Sequence, residues 1–182
     1  TAGCAAVCEP AFWAGFDRLV GPEAFAQPSG RYVSDADIAD AIERELADHA
    51  GAVLLFAVTI ENHGPWQDGA ADPVPQAYVE LVRKGDAMLS RLIGMIEGSR
   101  RPATLVFYGD HRPSIPGAVE PGSERHTPYV VIRSGQAPGQ PESARVRADL
   151  TPAQLHQAIL GLLTTGPADL RGAGDNPEQP AA

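Results

Sequence analysis

Ala52-Val-Leu-Leu-Phe-Ala-Val-Thr-Ile60, followed by Glu61-Asn62-His63-Gly64-Pro65-Trp66, decides the fold class of this chain. Nine nearly continuous apolar residues, partly β-branched, are too short for a surface helix. They fit a central parallel strand buried on both faces. A second run, Ala103-Thr-Leu-Val-Phe-Tyr108, repeats the pattern and stops at Gly109-Asp110-His111-Arg112-Pro113. Each run reads as a strand whose end presents histidine with a carboxylate or an amide. In an open α/β sheet, ligands bind just outside the carboxyl ends of strands. Neighbouring strands would therefore bring Asp110, His111 and His63 into one crevice. Asp and His together suit Mn²⁺ or Zn²⁺.

Helical signals flank both runs. Ser34-Asp35-Ala36-Asp37 reads as an N-cap with negative charge over the first turn. Ile38, Ile42 and Leu46 then give a helix over about 35–48, ended by Gly51. After a polar loop at 61–75, Tyr78, Leu81, Val82, Met88, Leu89, Leu92, Ile93 and Ile96 recur at three- and four-residue steps and predict a helix over 76–98. A loop runs from Gly109 to about 127. Pro128-Tyr-Val-Val-Ile-Arg133 is a third strand, and 134–142 a Pro/Gly-rich surface loop. Thr151-Pro152 opens a last helix with Leu155, Ile159, Leu162 and Leu163 toward the core. Residues 1–33 have no clean period, 34–164 form the α/β core, and 165–182 read as a flexible tail. The order predicts a layered α/β/α domain with a largely parallel sheet.

With 182 residues, 43% of them hydrophobic, the chain can build one globular core. Its 23 acidic against 14 basic residues give a formal charge of −9, which argues against nucleic acid or an anionic membrane as partner. An anionic substrate stays open, because a bound cation supplies local positive charge. Cys4 and Cys8 read as an incidental pair on one helix face, with a disulfide as the alternative; a zinc site would need further Cys or His nearby. No run is long and apolar enough to span a membrane, and no signal segment is present. The start at Thr1, with no methionine, suggests a piece of a longer protein.

The two motifs also have humbler readings. Asp110 can cap a turn beside a surface His111. Trp66 can plug the core instead of covering a substrate, and Glu61 can serve only as a turn carboxylate. Asn62 and His63 can hold an oxyanion through donors without competing for a metal. Arg112 can contact a phosphate or stay in solvent. His126 reads as a surface loop residue, His156 as structural, and His49 as a favoured cation near a helix C-terminus.

Taken as an ordered set, Phe56-Ala-Val-Thr-Ile-Glu-Asn-His-Gly-Pro-Trp66 and Phe107-Tyr-Gly-Asp-His111 resemble the sulfatase-like branch of the alkaline phosphatase superfamily. The likeness is greatest to the lipoteichoic acid synthase and phosphoglycerol transferase group. Gly15-Phe16-Asp17-Arg18, Tyr32-Val-Ser-Asp35, Thr127-Pro-Tyr-Val-Val-Ile132 and Leu155-His-Gln-Ala-Ile-Leu-Gly-Leu-Leu163 fit the same group in the same order. The resemblance covers about 12–163.

The resemblance implies that Asp110 and His111 ligate a divalent metal (Mn or Zn, with Mg or Ca as alternatives). It places His63, with Asn62, Trp66 and Arg112, on the substrate side. It implies attack on a phosphate or sulfate ester by a threonine, serine or formylglycine. That nucleophile belongs to a preceding half, upstream of Thr1, so no catalytic nucleophile is assigned here and the chain is read as the C-terminal part of the catalytic domain. The resemblance further implies an envelope glycerophosphate or glycan-linked ester as substrate, and an extracytoplasmic parent that can carry a membrane anchor. The competing expectation is a non-catalytic binding or scaffold module that keeps the fold and the metal site. A plain α/β domain with coincidental turn residues is the third. A parallel sheet divided in this way would expose an apolar edge, so the chain is expected either to self-associate or to rearrange around the missing half.

Overall fold

A computed structural model describes residues 15–25, 31–66, 74–115, 119, 122–123, 125–134 and 147–164. Cys4, Cys8, Phe12, Trp13 and the 165–182 segment lie outside the described residues, as do most of 134–142 and the side chain of Leu163.

The regular elements are α1 (Asp35–Asp48), α2 (Val74–Gly98), β1 (Thr104–Tyr108), β2 (Tyr129–Arg133) and α3 (Pro152–Thr164), preceded by a single 3-10 turn at Pro22–Ala24. Helix α1 starts where its cap predicts. Ser34 Oγ accepts from the Asp37 N–H at 3.1 Å, and Asp35 and Asp37 place negative charge on the first turn. Helix α3 opens with a reciprocal capping box. Thr151 Oγ1 accepts from Gln154 N–H at 3.2 Å, while Gln154 Oε1 accepts from Thr151 N–H at 2.8 Å.

The core lies where α1 crosses α2. Ala39, Met88 and Leu92 are buried there, with Ile38, Ile42, Met95, Leu105 and Phe107 packed around them. One face of β1 closes this cluster. The apolar spacing of α2 foretold this: Met88, Leu92 and Ile96 are buried, although Val82 is exposed.

Two expectations are not confirmed among the described residues. The sheet among the described residues is two-stranded and antiparallel, with Thr104 opposite Arg133 and Tyr108 opposite Tyr129. The ladder continues through Ser134 N–H to Ala103 O at 2.9 Å and Gly109 N–H to Pro128 O at 3.1 Å. A parallel neighbour needs a long crossover, usually helical. No helix is found among the described residues of 109–128, and the chain returns along the same edge.

The second concerns 52–60, which forms no strand and is largely exposed among the described residues. It has no strand partner among the described residues, and Leu54, Phe56 and Val58 are each about 60% exposed or more, at 66%, 61% and 60%. A central strand needs a neighbour on each edge and a layer on each face. Among the described residues only its ends are held, apart from Phe16, whose ring lies 6.3 Å from that of Phe56. No helix among the described residues is long and apolar enough to cross a membrane.

An uncharged apolar run of this length with no ladder partner among the described residues is a template for association. Sedimentation of the chain should give species larger than its 19.1 kDa mass. Replacing Leu54, Phe56 and Val58 by Lys should return it to the monomer; a monomeric parent chain would refute the idea.

Candidate functional site

The Asp110-His111 pair sits where β1 ends. Gly109 lets the chain pass close to the loop before β2. Thr127 Oγ1 donates to Gly109 O at 2.7 Å, and a Cβ at position 109 would lie 3.2 Å from Thr127 Cβ. The chain then turns. Asp110 Oδ1 accepts from the His111 N–H at 2.8 Å, and His111 Nε2 stands 3.4 Å from Asp110 Oδ2. Both side chains are exposed.

The imidazole has an acceptor beside each ring nitrogen. His111 Nδ1 lies 3.1 Å from Arg112 O. A carbonyl can only accept, so Nδ1 is the donor in that contact, while Nε2 faces the Asp110 carboxylate. A metal-ligating histidine commonly ties one nitrogen to a carbonyl, as Nδ1 is tied here, and binds the ion through the other. Metal–N and metal–O bonds are each about 2.0–2.2 Å, so donors this far apart reach a single ion. The residues present therefore fit a divalent cation as two of its ligands. Among the described residues no group of three or more His, Cys, Asp or Glu stands close enough to hold a metal ion.

The Asn62-His63 turn is built separately, and no hydrogen bond or ion pair among the described residues joins it to Asp110 or His111. His63 N–H donates to Ile60 O at 3.0 Å, and the Gly64–Pro65 peptide is cis. His63 Nδ1 donates to Gly64 O at 2.8 Å, which leaves Nε2 of this exposed residue available. Tyr32 Oη donates to the same carbonyl at 2.8 Å, and its ring stands edge-on to His63 with centroids 6.2 Å apart. Half-buried Trp66 donates from Nε1 to Asn62 O at 3.0 Å and packs edge-to-face on Tyr78 at 5.6 Å. Trp66 thus clasps its own turn. Arg112, His126 and His156 are exposed, and His49 caps α1 with Nδ1 bonded to Glu45 O at 2.8 Å.

Sequence reasoning missed the group beneath this turn. Asp35 is only 2% exposed, and its Oδ1 is buried without a hydrogen-bond partner. Burial, reinforced by the Glu61 charge and opposed by Lys84, pushes the Asp35 carboxyl up to about 6. Glu61 Oε2 accepts from the Asp35 N–H at 2.8 Å, and Glu61 Oε1 pairs with Lys84 Nζ. A carboxylate just ahead of Asn62-His63 was the available signal. Nothing in the sequence announced that Asp35, in a capping position, would be buried.

A family model described as Sulfatase matches residues 6–165. The chain is 30% identical over 155 residues to a capsular polysaccharide biosynthesis protein, RkpI, of Rhizobium meliloti (strain 1021), covering 80% of this chain and 29% of that protein. It is 25% identical over 118 residues to a putative cyclic beta-1,2-glucan modification protein of the same organism, covering 56% of this chain and 18% of that protein. The chain thus spans less than a third of the length of these relatives. No solved structure matches it.

The raised Asp35 carboxyl fixes a sign. The folded state holds this proton more tightly than the unfolded chain, so Asp35's contribution is fully present below about pH 4 and is lost as pH rises through about 6. Urea unfolding of the parent and Asp35→Asn at pH 4 and pH 7.5 should show the parent losing on the order of 1–3 kcal/mol relative to the variant as pH rises. An unchanged difference would refute it.

Proposed function

The chain belongs to the sulfatase family, and from that premise we propose that it carries part of a metal-dependent phosphoryl or sulfuryl ester transferase or hydrolase. The observation that carries this reading is the Asp110-His111 pair, with His111 Nε2 3.4 Å from a carboxylate oxygen, at a strand end inside the matched region. Asp110 Oδ2 and His111 Nε2 would hold the cation, with Mn²⁺ or Zn²⁺ favoured by this mixed set. Such an ion, when bound, polarises the ester oxygens and offsets their charge.

The remaining steps belong to the chain's own residues. His63 offers Nε2 at an exposed turn. Its protonated form donates a hydrogen bond to an ester oxygen, and its neutral form accepts one from a hydroxyl or water. The Arg112 guanidinium, next to the pair, suits an anionic phosphate or sulfate. Asn62 adds a neutral amide donor. The attacking hydroxyl belongs to a part of the family's domain that is not assigned to any residue here. The same reading makes 52–60 one strand of a larger, mainly parallel sheet.

A glycan-linked or glycerophosphate ester is the proposed substrate class, supported by relatives named for capsular polysaccharide biosynthesis and cyclic glucan modification. An extracytoplasmic location goes with it. A second reading, a binding module that keeps the cation but does not turn over, is favoured by the donor count, since only two donors stand together among the described residues.

Calorimetric titration with Mn²⁺ and Zn²⁺ tests the cation. One site should appear in the chain and vanish in Asp110→Ala/His111→Ala; no binding by the parent refutes the two-ligand site. For turnover, the complete protein should cleave a nitrophenyl phosphodiester or sulfate ester. His111→Ala should then lower the rate by about a hundredfold or more, since loss of groups that merely support a metal ligand already costs 10–100-fold. Binding without turnover would favour the second reading.

A further inference from the structure

We infer that Glu61 is the positioning residue of the turn that presents His63, acting as a carboxylate bridge between the start of α1 and the middle of α2. Its side chain is 12% exposed, and each oxygen has its own donor. Oε2 takes the Asp35 N–H at 2.8 Å, at the positive end of α1. Oε1 takes the Lys84 ammonium from α2. These partners lie 26 and 23 residues away in sequence, so one side chain ties the first residue of the turn to both helices.

The rest of the turn is fixed from the other side. Gly64 O accepts both Tyr32 Oη and His63 Nδ1, at 2.8 Å each, and Trp66 closes back onto Asn62 O. The His63 imidazole is held to Gly64 O only while that carbonyl keeps its place. With Glu61 anchoring one end and Tyr32 and Trp66 the other, the turn holds His63 Nδ1 on the Gly64 carbonyl and offers Nε2 outward.

A carboxylate is required at position 61. Both neighbours are donors, and glutamine would satisfy only one, with its NH₂ group facing the other donor. Charge-assisted bonds are also roughly twice as strong as neutral ones. Asp35 adds a constraint from α1, and Gly85 from α2. The Asp35 carboxylate packs where a Cβ at position 85 would come within 3.3 Å of Oδ2, so the two helices close tightly around Glu61. The titratable groups facing Glu61 are Asp35 and Lys84, with His63 two residues along.

That His63 meets substrate rests on the function proposed above; that Glu61 fixes the turn does not. The test therefore has two readouts. Nitrogen-15 spectra of His63 in the parent chain should show the Nδ1–H tautomer. Glu61→Gln and Lys84→Met should give a mixture of both tautomers, and Lys84→Arg should restore the parent spectrum. Thr151→Ala, which loses the α3 cap, serves as a control for lowered stability and should leave His63 unchanged. In the complete protein, Glu61→Gln should raise KM for a phosphate or sulfate ester about tenfold, a modest share of the cost of misplacing a contact group. A parent-like His63 spectrum in folded Glu61→Gln, or an equal change in Thr151→Ala, would overturn the inference. A parent protein with no ester turnover would overturn the functional reading alone, because the tautomer readout stands without it.

Discussion

Ala39 is fully buried where α1 meets α2, and its single methyl group lets the helices approach closely enough for Met88 and Leu92 to fill the space beside it. The rest of the structure depends on that contact. Leu105 and Phe107 of β1 lie against the same cluster, so the strand that ends in Asp110-His111 takes its position from the helix pair. β2 then follows by ladder pairing. A larger residue at position 39 would have no room, and interiors packed to this density transmit such changes.

Two polar clamps extend this frame to the 52–60 run. At one end the Arg101 guanidinium, just ahead of β1, collects the carbonyls of Leu46, His49 and Gly51 at the close of α1. A cation belongs at a helix C-terminus, and here it joins the end of α1 to the entry of β1. At the other end stands the Glu61 bridge. The run between them is fixed at both ends, with no ladder among the described residues. Its side chains are the largest exposed apolar stretch in the described structure, in a chain whose net charge of −9 otherwise favours solvent.

The elements governed by local chemistry were legible in the sequence. Ser34 and Thr151 announced helix starts through their own hydroxyls, and the three- and four-residue spacing of α2 put Met88, Leu92 and Ile96 inside. The Gly109 turn was legible as well. What stayed hidden was the choice of partners. An apolar run reports that a segment is suited to burial and carries no information about which neighbours are present; 52–60 therefore reads as a central strand and stands without one. The alternation of elements suggested a largely parallel sheet, whereas β2 returns antiparallel to β1, because no helical crossover is found among the described residues between Tyr108 and Pro128. Asp35 looked like a surface capping acid because its burial depends on Gly85 and Glu61, both distant in sequence.

The candidate site is divided between the two kinds of support. Asp110 and His111 stand on a strand end braced by the core, and their geometry needs only the turn at Gly109 and the carbonyl of Arg112. His63 stands on a turn held by charge, with Glu61, Lys84 and the buried Asp35 behind it. Electrostatic support of this sort is long-ranged and sensitive to proton uptake, whereas packing is neither. If one ester is to meet both groups, the cation side is the rigid reference and the histidine side the adjustable one. The unpaired Asp35 oxygen then has a physical reading. Ionised, it repels Glu61 and draws on the Lys84 charge; protonated, it leaves the Glu61–Lys84 pair undivided. The turn is therefore held best when Asp35 is neutral, which its burial favours.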